Sequence, residues 1–228
     1  EEMGDESILA WIEKVRSKTL ACDDKLMDCS VFCSYANTAK FFVKKTPDKL
    51  VQKEQSLLWM TGGIRVMASR GDEIKDYYKG YSNLGGAEVL KEMENDCESI
   101  AKSVVALLDS CQIEPGEYEC ICAPDVTGLI VHEAFGHGVE MDMFVKNRAL
   151  AEEYIDKYVA SPLVTMHDGA TAAKQTATFY FDDEGVDGQD TIIIEKGVLK
   201  RGISDLRSAY QTKTELKPIF KRFMNSVE

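Results

Sequence analysis

The sequence is short of positive charge, proline and histidine, and each shortage narrows what the chain does. Lys and Arg total 27 against 39 Asp and Glu, a formal net charge of −12. A chain of that sign repels phosphate backbones and anionic lipid surfaces unless a local basic patch overrides it. The densest basic stretch, residues 40–53, mixes lysine with Phe, Asp and Glu, which reads as solvated strands or loop, so neither a nucleic-acid nor a membrane partner is expected. Apolar runs of the roughly eighteen residues that span a bilayer are also missing, as is a basic-then-apolar leader, and the expectation is a cytoplasmic chain. Only five of the 228 residues are proline, and with 44% hydrophobic and 29% charged residues the composition is that of an ordinary globular protein rather than a disordered or fibrous one. The length permits one large domain or two small ones.

The dense, even cysteine framework of a small secreted domain is absent too: the seven cysteines are odd in number and scattered, which fits a reducing compartment. Cys29-x-x-x-Cys33 and Cys120-x-Cys122 have spacings open to metal binding. Both sit in apolar stretches that read as strands, and the expectation is that they are core residues.

Ile8, Leu9, Trp11, Ile12 and Val15 recur at helical spacing behind Ser7 as an N-cap, predicting a short amphipathic helix. Residues 27–35, 40–44, 57–69 and 77–81 are rich in apolar and β-branched types and are separated by Asn37-Thr38, Pro47-Asp48 and Gly71-Asp72, which predicts an antiparallel meander. Gly62-Gly63 within the third strand predicts a bulge or a close approach by another backbone. After Gly85-Gly86, Leu90, Met93, Cys97, Ile100, Val104 and Leu108 form the stripe of a long helix. Residues 119–123 read as a short strand leading through Pro124 into a helix. A further helix is predicted over 149–159, strands over 163–167 and 178–181, and a hairpin of 191–195 with 198–201 around Lys196-Gly197. No internal repeat is visible. Strands grouped before and after helices, without regular alternation, give an α+β fold class: an antiparallel meander packed with helices, with a candidate metal motif on a kinked helix behind a short strand.

That motif uses two of the chain's three histidines, His132-Glu133-x-x-x-His137. Neutral imidazoles bind zinc through one ring nitrogen, and a carboxylate beside the metal takes a proton from water, so this trio has the chemistry of metal-assisted peptide hydrolysis. The familiar spacing places the histidines four apart on one helix face. Here they are five apart, and at about 100° per residue a regular α-helix leaves them diverging by roughly 140°. The spacing therefore predicts a kink or π-bulge over 132–138, with Gly136 and Gly138 as the residues that let the helix yield. Glu140 and Asp142 are candidates either for a third ligand or for carboxylates that orient the imidazoles, and His167 is a more distant candidate ligand. The acidic turn Asp182-Asp183-Glu184-Gly185 reads as a solvated turn or as the rim of a peptide cleft.

The run His132-Glu133-Ala134-Phe135-Gly136-His137-Gly138-Val139-Glu140-Met141-Asp142 resembles, almost position for position, the HEAxGHxxExD signature of the TldD/PmbA family of metallopeptidases. Leu163-Val164-Thr165 with Asp168-Gly169, and then Asp182 to Gln189 running into Ile193 to Lys200, are similar to later blocks of that family in the same order. The resemblance covers most of residues 5–205, and residues 1–205 are taken as one TldD/PmbA-like region containing the motif; residues 206–228 form a charged, helix-like tail outside it. The resemblance implies a cytoplasmic zinc peptidase, one ion with another divalent metal as the alternative, that degrades unstructured peptides or trims leader peptides. It further implies a homodimer or a heterodimer with a related subunit, this chain being of the metal-bearing, TldD type. His132 and His137 would be ligands and Glu133 the general base. The family's third ligand, a cysteine, would lie in a C-terminal β-rich domain, and no cysteine follows Cys122 here. A non-catalytic assembly module with an incomplete site, and a metal-dependent amidase acting on small molecules, stand as alternatives.

Overall fold

A computed structural model describes residues 4–171 and 175–213, apart from the side chains of Val89 and Leu90. The chain packs as two units that are not consecutive in sequence, Glu1–Lys40 with Ser56–Gly116, and Phe41–Gln55 with Glu117–Glu228.

The first unit opens with α1, Asp5–Leu20. Its N-cap is Gly4 rather than Ser7, and Asp5 and Glu6 complement the helix dipole from the first turn. Three strands follow, β1 Leu26–Lys45, β2 Leu50–Arg70 and β3 Glu73–Leu84, in the order β1-β2-β3, with residues 41–45 of β1 and 50–55 of β2 belonging to the second unit. The meander is as expected, but its first two predicted strands are one: the chain passes Asn37-Thr38 in continuous β conformation. Polar residues on the solvated face of a strand imitate a turn signal when periodicity alone is read. β2 and β3 pair antiparallel without a register break from Trp59↔Leu84 to Arg70↔Glu73. Gly62-Gly63 is therefore not a bulge but the predicted close approach: a Cβ at Gly62 would lie 3.0 Å from the backbone carbonyl oxygen of Phe32. The space beside Gly63 is filled by the rings of Phe32 and Tyr78, which stack nearly parallel across the strands. Helix α2, Glu88–Leu107, buries Met93, Cys97, Ile100 and Val104 against Val15, Cys29, Met60, Ile64 and Val66, with Cys33 packed at the margin. The stripe and the core placement of Cys29 are as predicted, while Leu90 lies outside the described side chains.

The second unit carries the motif. Its helices are α3, Pro124–Val131, α4, Met141–Val145, and α5, Leu206–Thr212; its strands are β4 Met166–Asp168, β5 Thr191–Glu195 and β6 Val198–Leu199. β4-β5-β6 form one antiparallel sheet, and the hairpin at Lys196-Gly197 turns through two residues of positive φ, as the sequence predicts. Several local expectations fail here. Residues 119–123 are coil, and Cys120 and Cys122 are exposed rather than in the core. The predicted helix over 149–159 is a 3-10 turn, Leu150–Tyr154, followed by a turn through Asp156 at positive φ and a single bridge from Tyr158 to Val198. Residues 178–181 contribute only a bridge from Phe181 to Asp187. In place of ladder partners, Phe181 and Tyr180 are held by buried Gln55, whose side-chain oxygen accepts from both backbone N–H groups and whose amide donates to the Phe181 carbonyl. Apolar runs signal burial, and burial beside a side-chain amide leaves the same sequence pattern as burial in a ladder. No helix among the described residues is long and apolar enough to cross a membrane.

Candidate metal centre

Helix α3 starts on Pro124, at the end where its missing N–H costs nothing. It runs into a π turn over His132–Gly136 and then a 3-10 turn over His137–Val139. Within the π turn the His137 N–H donates to the His132 carbonyl, an i to i+5 bond. Residues five apart thereby return to one side of the helix, which is the distortion the spacing demands. Neither glycine is its steric cause. Gly136 sits in ordinary helical backbone, and a Cβ there would meet nothing closer than 3.7 Å, with nothing within 4 Å at Gly138.

Packing beyond the turn fixes it in place. Phe135 rests on the core of Val139, Ile193, Ile194, Leu199 and Ile203. Met141 donates its N–H to the Ile203 carbonyl at 2.9 Å and Ile203 donates to Val139 at 3.0 Å, stitching the motif's exit to the chain after β6. The sheet therefore carries the metal motif from behind, and the histidines face outward, partly exposed.

The rings of His132 and His137 meet edge to face with centroids 4.7 Å apart. Nε2 of His132 lies 4.0 Å from one oxygen of Glu133, and Nε2 of His137 lies 3.9 Å from the other. One donor atom from each of His132, Glu133 and His137 falls within 4.8 Å of the other two, the only such grouping of potential metal ligands among the described residues. Two imidazoles and a carboxylate at that separation suit a zinc ion, with room for further ligands.

Glu140 turns back onto the motif: its Oε1 sits 2.9 Å from Nδ1 of His137. Asp142 does not; one of its oxygens pairs with Lys146 at 3.0 Å and the other is buried without a hydrogen bond. His167 is not brought to the other histidines and pairs through Nδ1 with Asp190 at 2.8 Å. The acidic turn is built around Asp182, which is buried and accepts from the N–H groups of Glu184 and Val186, both at 2.9 Å.

One residue that sequence reasoning left without a role belongs with the site. Asp168, at the end of β4, is half-buried, and the loss of solvent raises its carboxyl above its ordinary value; His132 pulls it back down and Glu140 pushes it up. The signal available in sequence was the Asp168-Gly169 pair itself. Gly169 has φ +150°, and a Cβ there would lie 1.9 Å from the Gln189 carbonyl oxygen, so only glycine fits. That fixed corner sets where Asp168 points.

Residues 115–218 match the family model of the PmbA/TldA metallopeptidase C-terminal domain. Over that span the chain carries a TldD/PmbA-family domain. Among its curated relatives, the metalloprotease TldD homologue of Buchnera aphidicola is 36% identical over 161 residues, 70% of this chain and 33% of that protein. The zinc metalloprotease TldD homologue of Saccharolobus solfataricus is 32% identical over 114 residues, 47% of this chain and 24% of the relative. The chain thus spans a third or less of the curated relatives named here. Solved structures share the fold: TldE of Thermococcus kodakarensis, at 14% identity and a TM-score of 0.68, covers 97% of this chain with 50% of its own length. A Thermotoga maritima protein described as a modulator of a DNA gyrase gives a TM-score of 0.76 at 17% identity, covering 94% of this chain with 49% of its own. The α+β architecture of this chain agrees with its sequence-based class.

Proposed function

We propose that this chain is the metal-bearing part of a zinc-dependent peptidase that acts on unstructured peptides or trims leader peptides. The observation that carries the reading is the π turn, which sets the Nε2 atoms of two histidines five residues apart on either side of one carboxylate. His132 and His137 would hold a single zinc ion. Bound there, zinc supplies Lewis acidity toward water and toward the peptide carbonyl. Glu133 accepts the proton that water loses as it attacks the carbonyl and delivers it to the departing amine nitrogen. Glu140 holds the His137 ring so that Nε2 faces inward. Two histidines are one ligand short of the usual three plus water, and the family resemblance supplies a cysteine from a β-rich domain as the third. In keeping with that resemblance, the chain would work in the cytoplasm as a homodimer or beside a related subunit.

The test is Glu133→Gln in the zinc-loaded protein with a panel of unstructured peptides and simple amides. Zinc content stays at the wild-type level while peptide cleavage is lost; cleavage at the wild-type rate removes Glu133 from the reaction. Turnover of simple amides in preference to peptides makes the protein an amidase, and a wild-type protein that retains no zinc makes it an assembly module.

A further inference from the structure

We propose that helix α3 is a docking face and that its occupant is a segment of the same chain, residues 214–228. α3 buries none of its residues. Val126 is 48% exposed, Leu129 61% and Ile130 50%, and their spacing of three and four positions puts them on one side of the helix. Ile121, just ahead of it, is fully exposed. A helix of eight residues does not hold in water on its own propensity, and helices this short persist by burying an apolar side. α3 is the stem of the metal motif, so whatever covers it also steadies His132.

The sequence of residues 214–228, which lie outside the described residues, is complementary to that face. Ile219, Phe220, Phe223, Met224 and Val227 recur at the spacing of one helix side, behind Pro218 at a position suited to a first turn. The family match ends at residue 218, so this stripe is a feature of the chain beyond the matched domain. Charge points the same way. Between Glu117 and Val145 stand Glu117, Glu119, Asp125, Glu133, Glu140 and Asp142, with no Lys or Arg. Glu140 and Asp142 are engaged with His137 and Lys146, whereas Glu117, Glu119 and Asp125, at and before the first turn of α3, form no ion pair among the described residues. The segment brings Lys217, Lys221 and Arg222, and opposite charge sets the register of such a contact. Both partners belong to the second unit. Helix α5 ends at Thr212, and Lys213 turns the chain out of it in the left-handed region. Residues 214–217 then span roughly 13 Å when extended. A helix from Pro218 to Glu228 is about 16 Å long against about 12 Å for α3, enough to lie along it.

The experiment uses the full chain with a photoreactive group at the stripe, Phe223→benzoylphenylalanine, irradiated in a mixture of isotope-labelled and unlabelled protein and mapped by mass spectrometry. The expected adducts join position 223 to residues 126–130 of the same chain. In parallel, hydrogen exchange is compared between wild type and Phe220→Ser with Phe223→Ser. Amides of α3 exchange at least about 10-fold faster in the double variant, while those of the β5-β6 hairpin keep their rates and show that the unit still folds. Adducts between labelled and unlabelled chains make a second copy the occupant and overturn the proposal. Adducts elsewhere on the same chain overturn it too, as do unchanged α3 rates in the double variant. If the hairpin also loses protection, the site of the photo-adduct decides alone.

Discussion

Glu133 sits between two ring nitrogens at nearly equal distances, so a change at its carboxylate separates binding from chemistry. General acid–base groups contribute typically about 10² to 10⁴ in rate, and Glu133→Gln is expected to cut kcat by at least that factor with zinc stoichiometry unchanged, as read by elemental analysis beside single-turnover cleavage. Two glycines behave oppositely. Gly169→Ala forces a Cβ into the Gln189 carbonyl at a positive φ and is expected to cost about 1–3 kcal/mol from backbone strain before any clash is counted, seen as a fall in the urea midpoint. Gly136→Ala meets open space in helical backbone and is expected to leave stability unchanged or raise it by up to about 1 kcal/mol, with zinc affinity intact. A loss of zinc in Gly136→Ala would show that the turn depends on glycine after all. The trio and its distortion were legible because five residues per return is incompatible with an α-helix. Asp168 was not, since the Asp168-Gly169 pair marks a tight corner but does not report that a histidine 36 positions earlier acts on the carboxylate.

Among the elements, the long amphipathic helix was the most legible and is the most consequential for stability. Ile100 on α2 is 1% exposed, among Met93, Cys97 and Val104. Ile100→Ala is expected to destabilise by about 2–5 kcal/mol, measured by urea unfolding of the whole chain; a change below about 1 kcal/mol would mean that α2 does not carry the first core. Strands were recognised wherever alternation faced one core, as in β2, β3 and the β5-β6 hairpin. Segments 119–123, 149–159 and 178–181 misled for a common reason. Exposed Ile121 stands in coil, Ala151, Ile155 and Val159 reach the second core from a 3-10 turn and the bends after it, and Tyr180 and Phe181 are held by the amide of Gln55; periodicity does not distinguish such surroundings from a ladder or a helix face.

For the molecule as a whole, alkaline pH probes the first core. Burial pushes the Cys29 thiol from 9.0 up to about 11, and burial together with the hydrogen bond to Asp96 also raises Tyr81. The folded chain keeps the Cys29 proton where the unfolded chain has lost it. The resulting stability is complete below about pH 9 and falls as pH climbs through about 11. Urea midpoints across that window are expected to decline, with a shallower decline in Cys29→Ala. The same burial predicts that maleimide labels Cys22, Cys111, Cys120 and Cys122 in the native protein before Cys29 or Cys97. The family domain marked by sequence similarity begins at residue 115, but the unit that packs together also takes in Phe41–Gln55. That distant segment lends Gln55 to the backbone of Tyr180 and Phe181, and Lys53 to Asp187. The homologous domain is therefore not a portable module. A chimera that grafts residues 115–218 of a relative into this chain must bring that relative's counterpart of residues 41–55 with it, or the grafted backbone loses the side chains that hold it.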